Sequence, residues 1–551
     1  MNTLFKPKLY VVLKQGYTRQ LFNKDLFAGI MVGLVTLPLA IAFAVASGVS
    51  PEKGLITAIV AGLIISLIGG SRFQIGGPTG VFIVVIYGIV QKYGLNGLMI
   101  STILAGFMLI GFGLLRLGVI IKFIPNPLVV GFMSGIALVI VTTQVKYALG
   151  LPIYQLPDDF IGKWISIFSN FQINFFDLII TIGTILIAVF SSKLIRKISG
   201  SFVALILVTV AVTLLKLPVQ TIHAVSGDIP NSISLQIPHL QWESLREYIQ
   251  PAFTIAIICA IESLLSAVVA DGMTSGHHRS NTELIAQGVA NIVTPFFGGI
   301  PAMGAIERTA KNVKNGARTP VAGIVHALIL LSLLLLFDKW VTLVPMSCIA
   351  GLLMVVAYNM SEWRTFISGL KGSKYDVLVL LTAFLLTVFV DLTIAIEVGM
   401  VFSAMLFMQR MSKLSNIESV DIDSDILENY SALPKGVDIY EIIGPFFFGA
   451  AQSYKETLQG ITGNSKVLIL RMRYVPFIDT TGIQNFKEVI RDFRIHKVTI
   501  ILSGVRPDVR ETLVSCGLAD VIGRELICEN FGEAVRKATE ELEKKKPFSL
   551  R

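Results

Sequence analysis

Residues 25–412 are filled with apolar runs that approach the roughly 20 residues needed to cross a bilayer, and this constrains the chain before any motif does. In hydrocarbon, every backbone N–H and C=O must be satisfied within the protein, so such runs read as a helix bundle. Of the 551 residues, 53% are hydrophobic and 15% charged, where a soluble chain would carry about 25% charge. Past residue 412 the composition becomes ordinary and globular. The expected organisation is a basic cytoplasmic N-terminal arm (1–24), a membrane domain (25–412), an acidic linker (413–434) and a small soluble α/β domain (435–551). The arm shows no signal-peptide cleavage pattern.

The net charge of +9 lies largely in the arm and the loops. No Lys/Arg tract is interleaved with aromatics, so no nucleic-acid partner is expected. Cys259, Cys348, Cys516 and Cys528 form no CxxC pair, and neither HExxH nor GxxxxGK[ST] occurs. These patterns point away from a metal, a cofactor or an ATP-driven motor, and the chain does not read as an enzyme.

The apolar pattern divides into fourteen segments: 25–48, 54–70, 81–93, 95–117, 127–149, 175–190 and 201–215, then, after a polar stretch at 217–249, 250–271, 283–297, 299–316, 322–337, 341–358, 377–390 and 392–411. Two places break it, SRFQIGGPTG (71–80) and GGIPAMGA (298–305). Irregular backbone at membrane depth is tolerated only where it is buried or lines a cavity. The two breaks match each other. So do FIPNPLVVGFMSGIAL, with Pro125 and Gly131, and LVPMSCIAGLLMVV, with Pro345 and Gly351. Each match is seven segments apart, and an odd offset implies an inverted repeat of seven plus seven.

Basic residues set the expected topology. Lys6, Lys8, Lys14, Arg19 and Lys24 precede the first segment. Lys193, Arg196 and Lys197 follow the sixth, Lys311, Lys314 and Arg318 the tenth, and Arg364, Lys371 and Lys374 the twelfth. Both termini are therefore expected in the cytoplasm of a cell whose inner (plasma) membrane holds the protein, with 217–249 outside. In the C-terminal domain, VDIYEIIGPFFFGA, KVLILRM and KVTIILSG read as strands, and 481–493, 507–516 and 531–544 as helices. Glu418, Asp421, Asp423, Asp425 and Glu428 read as a solvated spacer.

Ionisable groups inside membrane-grade sequence are costly and point to function. Glu262 and Ser266, spaced i,i+4, share a helix face; a plain helix–helix hydrogen bond is the alternative. Arg308 follows the second break, where the N-terminus of a half-helix offers unpaired N–H groups to an anion; snorkelling is the alternative. Glu307 has an ordinary partner available in Lys311. Asp391 and Glu397 fit an outer turn, and His277 and His278 a solvated loop. Asp479–Thr480 fits a helix N-cap.

FAGIMVGLVTLPLAIAFAVASGVSPEKGL, IGGPTG, ADGMTSGHHRSNTELIAQGVANI and GGIPAMGAIERTAKNVKNGARTPVAGIVHAL together resemble the SulP anion transporters, the group that includes prestin and bacterial sulfate and bicarbonate carriers. IDTTG, at 478–482, resembles their STAS domain. The resemblance spans nearly the whole chain. It implies a fourteen-segment, all-α membrane domain of the uracil-permease type, divided into core and gate. It also implies a homodimer, and an anion site between the third and tenth helices. Carried over by position, Phe43, Thr79, Gly304, Ala305 and Arg308 would bind the anion. Leu39 stands where prestin-like members have Gln. Glu307 stands where a small or hydroxylated residue is common.

In sodium-coupled relatives the coupling ion meets positions that here are Glu262, Ser266, Gly304, Ala305, Ile306 and Thr79. Ile306 replaces a Thr, so one hydroxyl ligand is lost, and a proton is favoured over sodium, with Glu262, Ser266 and Glu307 as the coupling group. The expectation is a proton-coupled, elevator-type secondary transporter of a small anion (sulfate, bicarbonate or dicarboxylate). The rivals are a sodium-coupled bicarbonate carrier, a membrane-anchored STAS signalling module and a nucleobase permease.

Overall fold

The structure, a computed structural model, describes all residues except 1–4, 120–124, 154–155, 158, 195–198, 227–234, 240–241, 391, 415, 420–433, 460–464 and 546–551. Arg196, Lys197, Asp391, Asp421, Asp423, Asp425 and Glu428 therefore lie outside the described residues. The chain forms two units, Met1–Val401 and Phe402–Arg551.

The first unit is helical. After a short arm helix, α1 (Lys8–Gln15), come α2 (Arg19–Ala46), α3 (Pro51–Ile68), the two-residue strand β1 (Gly76–Gly77) and α4 (Phe82–Leu114). Then follow α5 (Asn126–Ala148), α6 (Phe160–Ser169), α7 (Phe175–Leu194), α8 (Gly200–Leu215) and α9 (Ile222–Ser226). The next run is α10 (Ile249–Thr274), α11 (Ser280–Phe296), β2 (Met303–Gly304), α12 (Ile306–Lys314), α13 (Val321–Thr342), α14 (Met346–Met360), α15 (Trp363–Gly369), α16 (Lys374–Phe389) and α17 (Leu392–Leu414). Among the described residues, five helical stretches are long and apolar enough to cross a membrane: Arg19–Ala46, Pro51–Ile68, Phe82–Leu114, Asn126–Ala148 and Leu245–Thr274.

The helices pack as two groups. α2, α3 and α4 pack with α10–α13, and α5, α7 and α8 with α14 and α16. Small residues bring the axes close, as packing in lipid requires. A Cβ on Gly106 of α4 would sit 2.6 Å from the Gly288 carbonyl oxygen of α11, and one on Gly288 would sit 2.6 Å from that of Gly106. The matched Pro/Gly segments behave alike in the two groups. Pro125 and Pro345 cap the N-termini of α5 and α14. Six residues on, Gly131 lies against the Leu380 carbonyl and Gly351 against the Thr181 carbonyl.

One expected boundary is kept and one moves. Within α4 the helical geometry breaks at Gly94 (φ +67°, ψ −175°), between segments 81–93 and 95–117. Val341 and Thr342 close α13, and α14 starts only after Pro345, because a proline lacks the N–H that a continuing helix would use.

The second unit is a sheet in the order β3-β4-β5-β6-β7, covered by helices. Its strands are β3 (Asn416–Ser419), β4 (Val437–Ile443), β5 (Val467–Tyr474), β6 (Thr499–Ser503) and β7 (Ile527–Cys528). β3 is antiparallel to β4, and the rest pair in parallel. The helices are α18 (Phe448–Gln459), α19 (Thr480–Ile495), α20 (Pro507–Ser515), α21 (Leu518–Ile522) and α22 (Phe531–Lys544).

Two readings need correction. The stretch 416–419, assigned to a solvated spacer, is an edge strand. VDIYEIIGPFFFGA is a strand only to Ile443. Gly444, at φ +99°, and Pro445 end it, and Ala450, Ala451, Tyr454 and Leu458 then turn inward at helical spacing. Asp479 acts as the N-cap of α19, its Oδ1 accepting the Gly482 N–H at 2.7 Å, while Thr480 is exposed.

The α4–α11 contact sets a test. Gly106→Val or Gly288→Val is expected to lower the stability of the purified protein by about 1–3 kcal/mol through overpacking. Gly111→Ala, also on α4, meets nothing within 4 Å and serves as the control. Equal melting temperatures in detergent for all three variants and the parent would contradict the packing described.

Candidate functional site

The two sequence breaks meet. β1 and β2 pair antiparallel, Gly76 opposite Gly304 and Gly77 opposite Met303, and each leads into a helix, α4 and α12. Extended backbone in an apolar surround needs partners for its polar groups, and here side chains supply them. Around the first break, Glu283 Oε2 accepts the N–H groups of Gly70 (2.8 Å) and Ser71 (3.0 Å). Thr309 Oγ1 accepts that of Ile75 (3.1 Å), and Asn312 Nδ2 donates to the Phe73 carbonyl (2.9 Å). Around the second, Thr57 Oγ1 accepts from Ile300 (2.7 Å) and Ser263 Oγ from Gly304 (3.0 Å). The Asn291 amide brackets Ala302, accepting its N–H at 2.9 Å and donating to its carbonyl at 2.8 Å.

Arg308, in the first turn of α12, is 2% exposed. Its Nη2 donates to the Pro78 carbonyl of the other break, and its Nη1 has no hydrogen-bond partner among the described residues. The close fit depends on glycine: Gly77 has φ +146°, and a Cβ there would lie 2.7 Å from Nη1. Thr79 is buried beside this contact, and its Oγ1 also lacks a hydrogen-bond partner among the described residues. The first N–H groups of α12, those of Ile306, Glu307 and Arg308, have no intrahelical acceptor.

Phe43, on α2, is 5% exposed. A Cβ on Gly80 would touch its ring at 3.5 Å and, at 3.4 and 3.6 Å, Met360 Sδ and Val356 Cγ1 of α14. The site thus lies where the two helix groups face each other. Gly304 and Ala305 are buried, and their N–H groups are already used, by Ser263 and by the Ile75 carbonyl (3.0 Å). Leu39 is buried in the same apolar cluster as Phe43.

Ser266 Oγ donates to Thr309 Oγ1 at 3.0 Å, next to Arg308 in the chain. Glu262, one turn before it on the same face of α10, is 5% exposed and makes no hydrogen bond or ion pair with a described residue. Gln74 Nε2 donates to the Ser263 carbonyl at 3.0 Å, which leaves its Oε1 unpartnered. Glu307 does not join these groups. It is exposed and pairs with Lys311 at 2.7 Å, the ordinary i,i+4 alternative.

Sequence reasoning missed Thr57, Gln74, Glu283, Asn291, Thr309 and Asn312, which hold the breaks, and Met360 and Val356, which face Gly80. Glu283 carried the signal that singled out Glu262, a carboxylate at an apolar segment.

Residues 22–383 match the sulfate permease family, and 433–538 the STAS domain. The chain is 38% identical to the putative sulfate transporter YvdB of Bacillus subtilis, over 94% of this chain and 98% of that one. It is 28% identical to the bicarbonate transporter BicA of Picosynechococcus, over 93% and 94%. Among solved structures, murine Slc26a9 in the inward-facing state superposes with a TM-score of 0.87 at 20% identity, over 97% of this chain and 94% of that one, which speaks for the fold. The transmembrane domain of a cyanobacterial BicA gives 0.63 at 29% identity, over 69% and 98%. The chain belongs to the sulfate permease family of membrane anion transporters and carries the STAS domain at its C-terminal end.

Proposed function

We propose that Arg308, Thr79 and the N-terminus of α12 bind the transported anion, with Phe43 closing the site on the α2 side. The unpartnered Arg308 Nη1 supports this most strongly. A buried guanidinium without a counter-charge is costly, and a small oxyanion supplies both the charge and the acceptors. Sulfate and bicarbonate are the substrates to test first, since the relatives are named for them.

The position of the site between two helix groups suits an elevator cycle. On this reading α2–α4 with α10–α13 form the core and carry the anion past α5, α7, α8, α14 and α16, the gate. Glu262 is the coupling group. Burial disfavours a bare carboxylate, so it takes up a proton on one side and releases it on the other. Glu307 drops out of this scheme because of its exposed pairing with Lys311. One observation favours sodium instead. Gln74 Oε1, on the side chain that binds the Ser263 carbonyl, and the carboxylate of Glu262, the residue before Ser263, lack hydrogen-bond partners among the described residues, a start on the hard-oxygen shell that a cation needs. We further propose that the STAS domain serves folding, dimer contacts or regulation, that both termini face the cytoplasm, and that the domain boundaries follow the composition changes described above.

Arg308→Ala is expected to weaken anion binding at least tenfold, about 2 kcal/mol for a charge-assisted contact, while the protein stays folded. Radiolabelled sulfate and bicarbonate uptake in proteoliposomes reads this, and unchanged affinity would refute the site. Proton and sodium gradients imposed separately address coupling. A proton gradient should drive the parent and fail to drive Glu262→Gln, and uptake that follows sodium alone would establish the alternative. A chain ending at Lys413, which removes every strand of the STAS sheet, should retain anion binding. Loss of binding in a properly inserted truncation would assign the domain a direct part in transport.

A further inference from the structure

A second set of cations gathers away from the anion site. A cavity of about 550 Å³ lies between α1 and the loops that follow α3, α10 and α12. The cations Lys8, Arg72 and Arg318 line it, with one lining carboxylate, Asp271, while a second, Asp25, lies behind the wall with its oxygens taken by the Arg318 and Thr319 N–H groups and the Thr319 hydroxyl. The arm is fastened over the cavity by backbone contacts. The Lys8 N–H donates to the Gly69 carbonyl at 2.9 Å, Lys8 Nζ to the His277 carbonyl at 2.6 Å, and Arg279 Nη1 to the Lys6 carbonyl.

Asp271 supplies a single negative charge against Lys8, Arg72 and Arg318, and its Oδ2 is also engaged by the His278 N–H at 2.8 Å and the His278 ring at 2.7 Å. The guanidinium groups of Arg72 and Arg318 make no hydrogen bond or ion pair with a described residue. Burial, with the neighbouring Arg279 and Arg72, holds the Lys8 ammonium below the ordinary lysine value. Cations crowded without a matching carboxylate repel one another, and a bound oxyanion relieves that repulsion.

The arm helix also locates the cavity. Lys8, Val12 and Gln15, at i, i+4 and i+7, turn toward the cavity. Tyr10 and Leu13, on the opposite side, are 55% and 54% exposed. An amphipathic helix with large apolar groups outward, beside the ends of membrane-spanning helices, lies at the lipid boundary. The cavity is then at the depth of lipid phosphates.

We propose that this cavity binds a phosphate-bearing anion, coordinated by Lys8, Arg72 and Arg318, which holds the N-terminal arm against the membrane domain. A lipid headgroup and free phosphate share this chemistry, and the experiment separates them. Full-length protein in neutral detergent is analysed by native mass spectrometry after addition of phosphatidylglycerol or phosphatidylcholine. Its melting is measured with inorganic phosphate against chloride at constant ionic strength. All measurements are made in the Arg308→Ala background, so that the weakened transport site contributes little, and each variant is compared with that background.

Arg72→Gln is expected to reduce binding roughly tenfold, the loss of one charge-assisted contact. Retention of phosphatidylglycerol over phosphatidylcholine, lost in Arg72→Gln, assigns a lipid. Stabilisation by phosphate that Arg72→Gln abolishes assigns a free anion. If Arg72→Gln does not fold, Arg318→Gln, at an exposed position, carries the same comparison. Equal lipid retention and equal phosphate response in the parent and the folded variants would overturn the proposal.

Discussion

Backbone placed in an apolar surround must have its polar groups satisfied, and the arrangement of the membrane domain follows from how this is done at two short breaks. Residues 70–75 are held by Glu283, Thr309 and Asn312, and residues 300–304 by Thr57, Ser263 and Asn291. The first break is therefore fastened by side chains from the other half of the sequence, the second by Thr57 from the other half and by Ser263 and Asn291 from its own, and the β1–β2 pairing joins the two directly. An unmet buried group costs about 1–3 kcal/mol, so the set is mutually dependent. Arg308 owes its position to it, because α12 begins where β2 ends and the guanidinium closes onto Pro78 beyond β1.

Much of this was legible in the sequence. GGPTG and GGIPAMGA are short Gly/Pro interruptions of long apolar runs, a pattern that survives without knowledge of contacts. Pro125 with Gly131 and Pro345 with Gly351 were readable for the same reason: a proline sets a helix start, and a glycine marks where another backbone comes near. The polar residues that hold the breaks were not legible. Thr57 and Ile300 are 243 positions apart, and a lone threonine or asparagine in an apolar helix looks the same whether it bonds across the bundle or back onto its own helix. Thr102, for instance, simply donates to the Leu98 carbonyl.

The STAS domain shows a different limit. A run such as GPFFFGA has strong strand propensity, but its period depends on which partner it packs against. Phe446 and Phe447 enter the core while Phe448 opens a helix. β3 is hidden for the opposite reason. An edge strand with one neighbour needs only a few apolar positions, and here it is set in an acidic stretch that reads as solvent-facing.

Of the two candidate coupling groups the sequence favoured Glu262, since Glu307 had Lys311 available as an ordinary partner, and their surroundings differ in the same sense. Glu307 sits on the exposed side of α12, where Lys311 is available, so its charge is balanced without any substrate. Arg308 is buried with Nη1 unpartnered among the described residues, and Glu262 is buried without a hydrogen bond or ion pair to a described residue. On the proposed cycle, the loaded core would move one anion against Arg308 and one protonated Glu262, leaving at most the anion's excess charge unbalanced. An empty core, to return, would move the Arg308 guanidinium together with an ionised Glu262, opposite charges that sum to zero, whereas a core carrying only the anion or only the proton would move an unbalanced buried charge, which low-dielectric surroundings penalise strongly. On the proposed cycle, desolvation would favour moving anion and proton together or neither, because the costly states are those in which only one of the two buried groups is loaded.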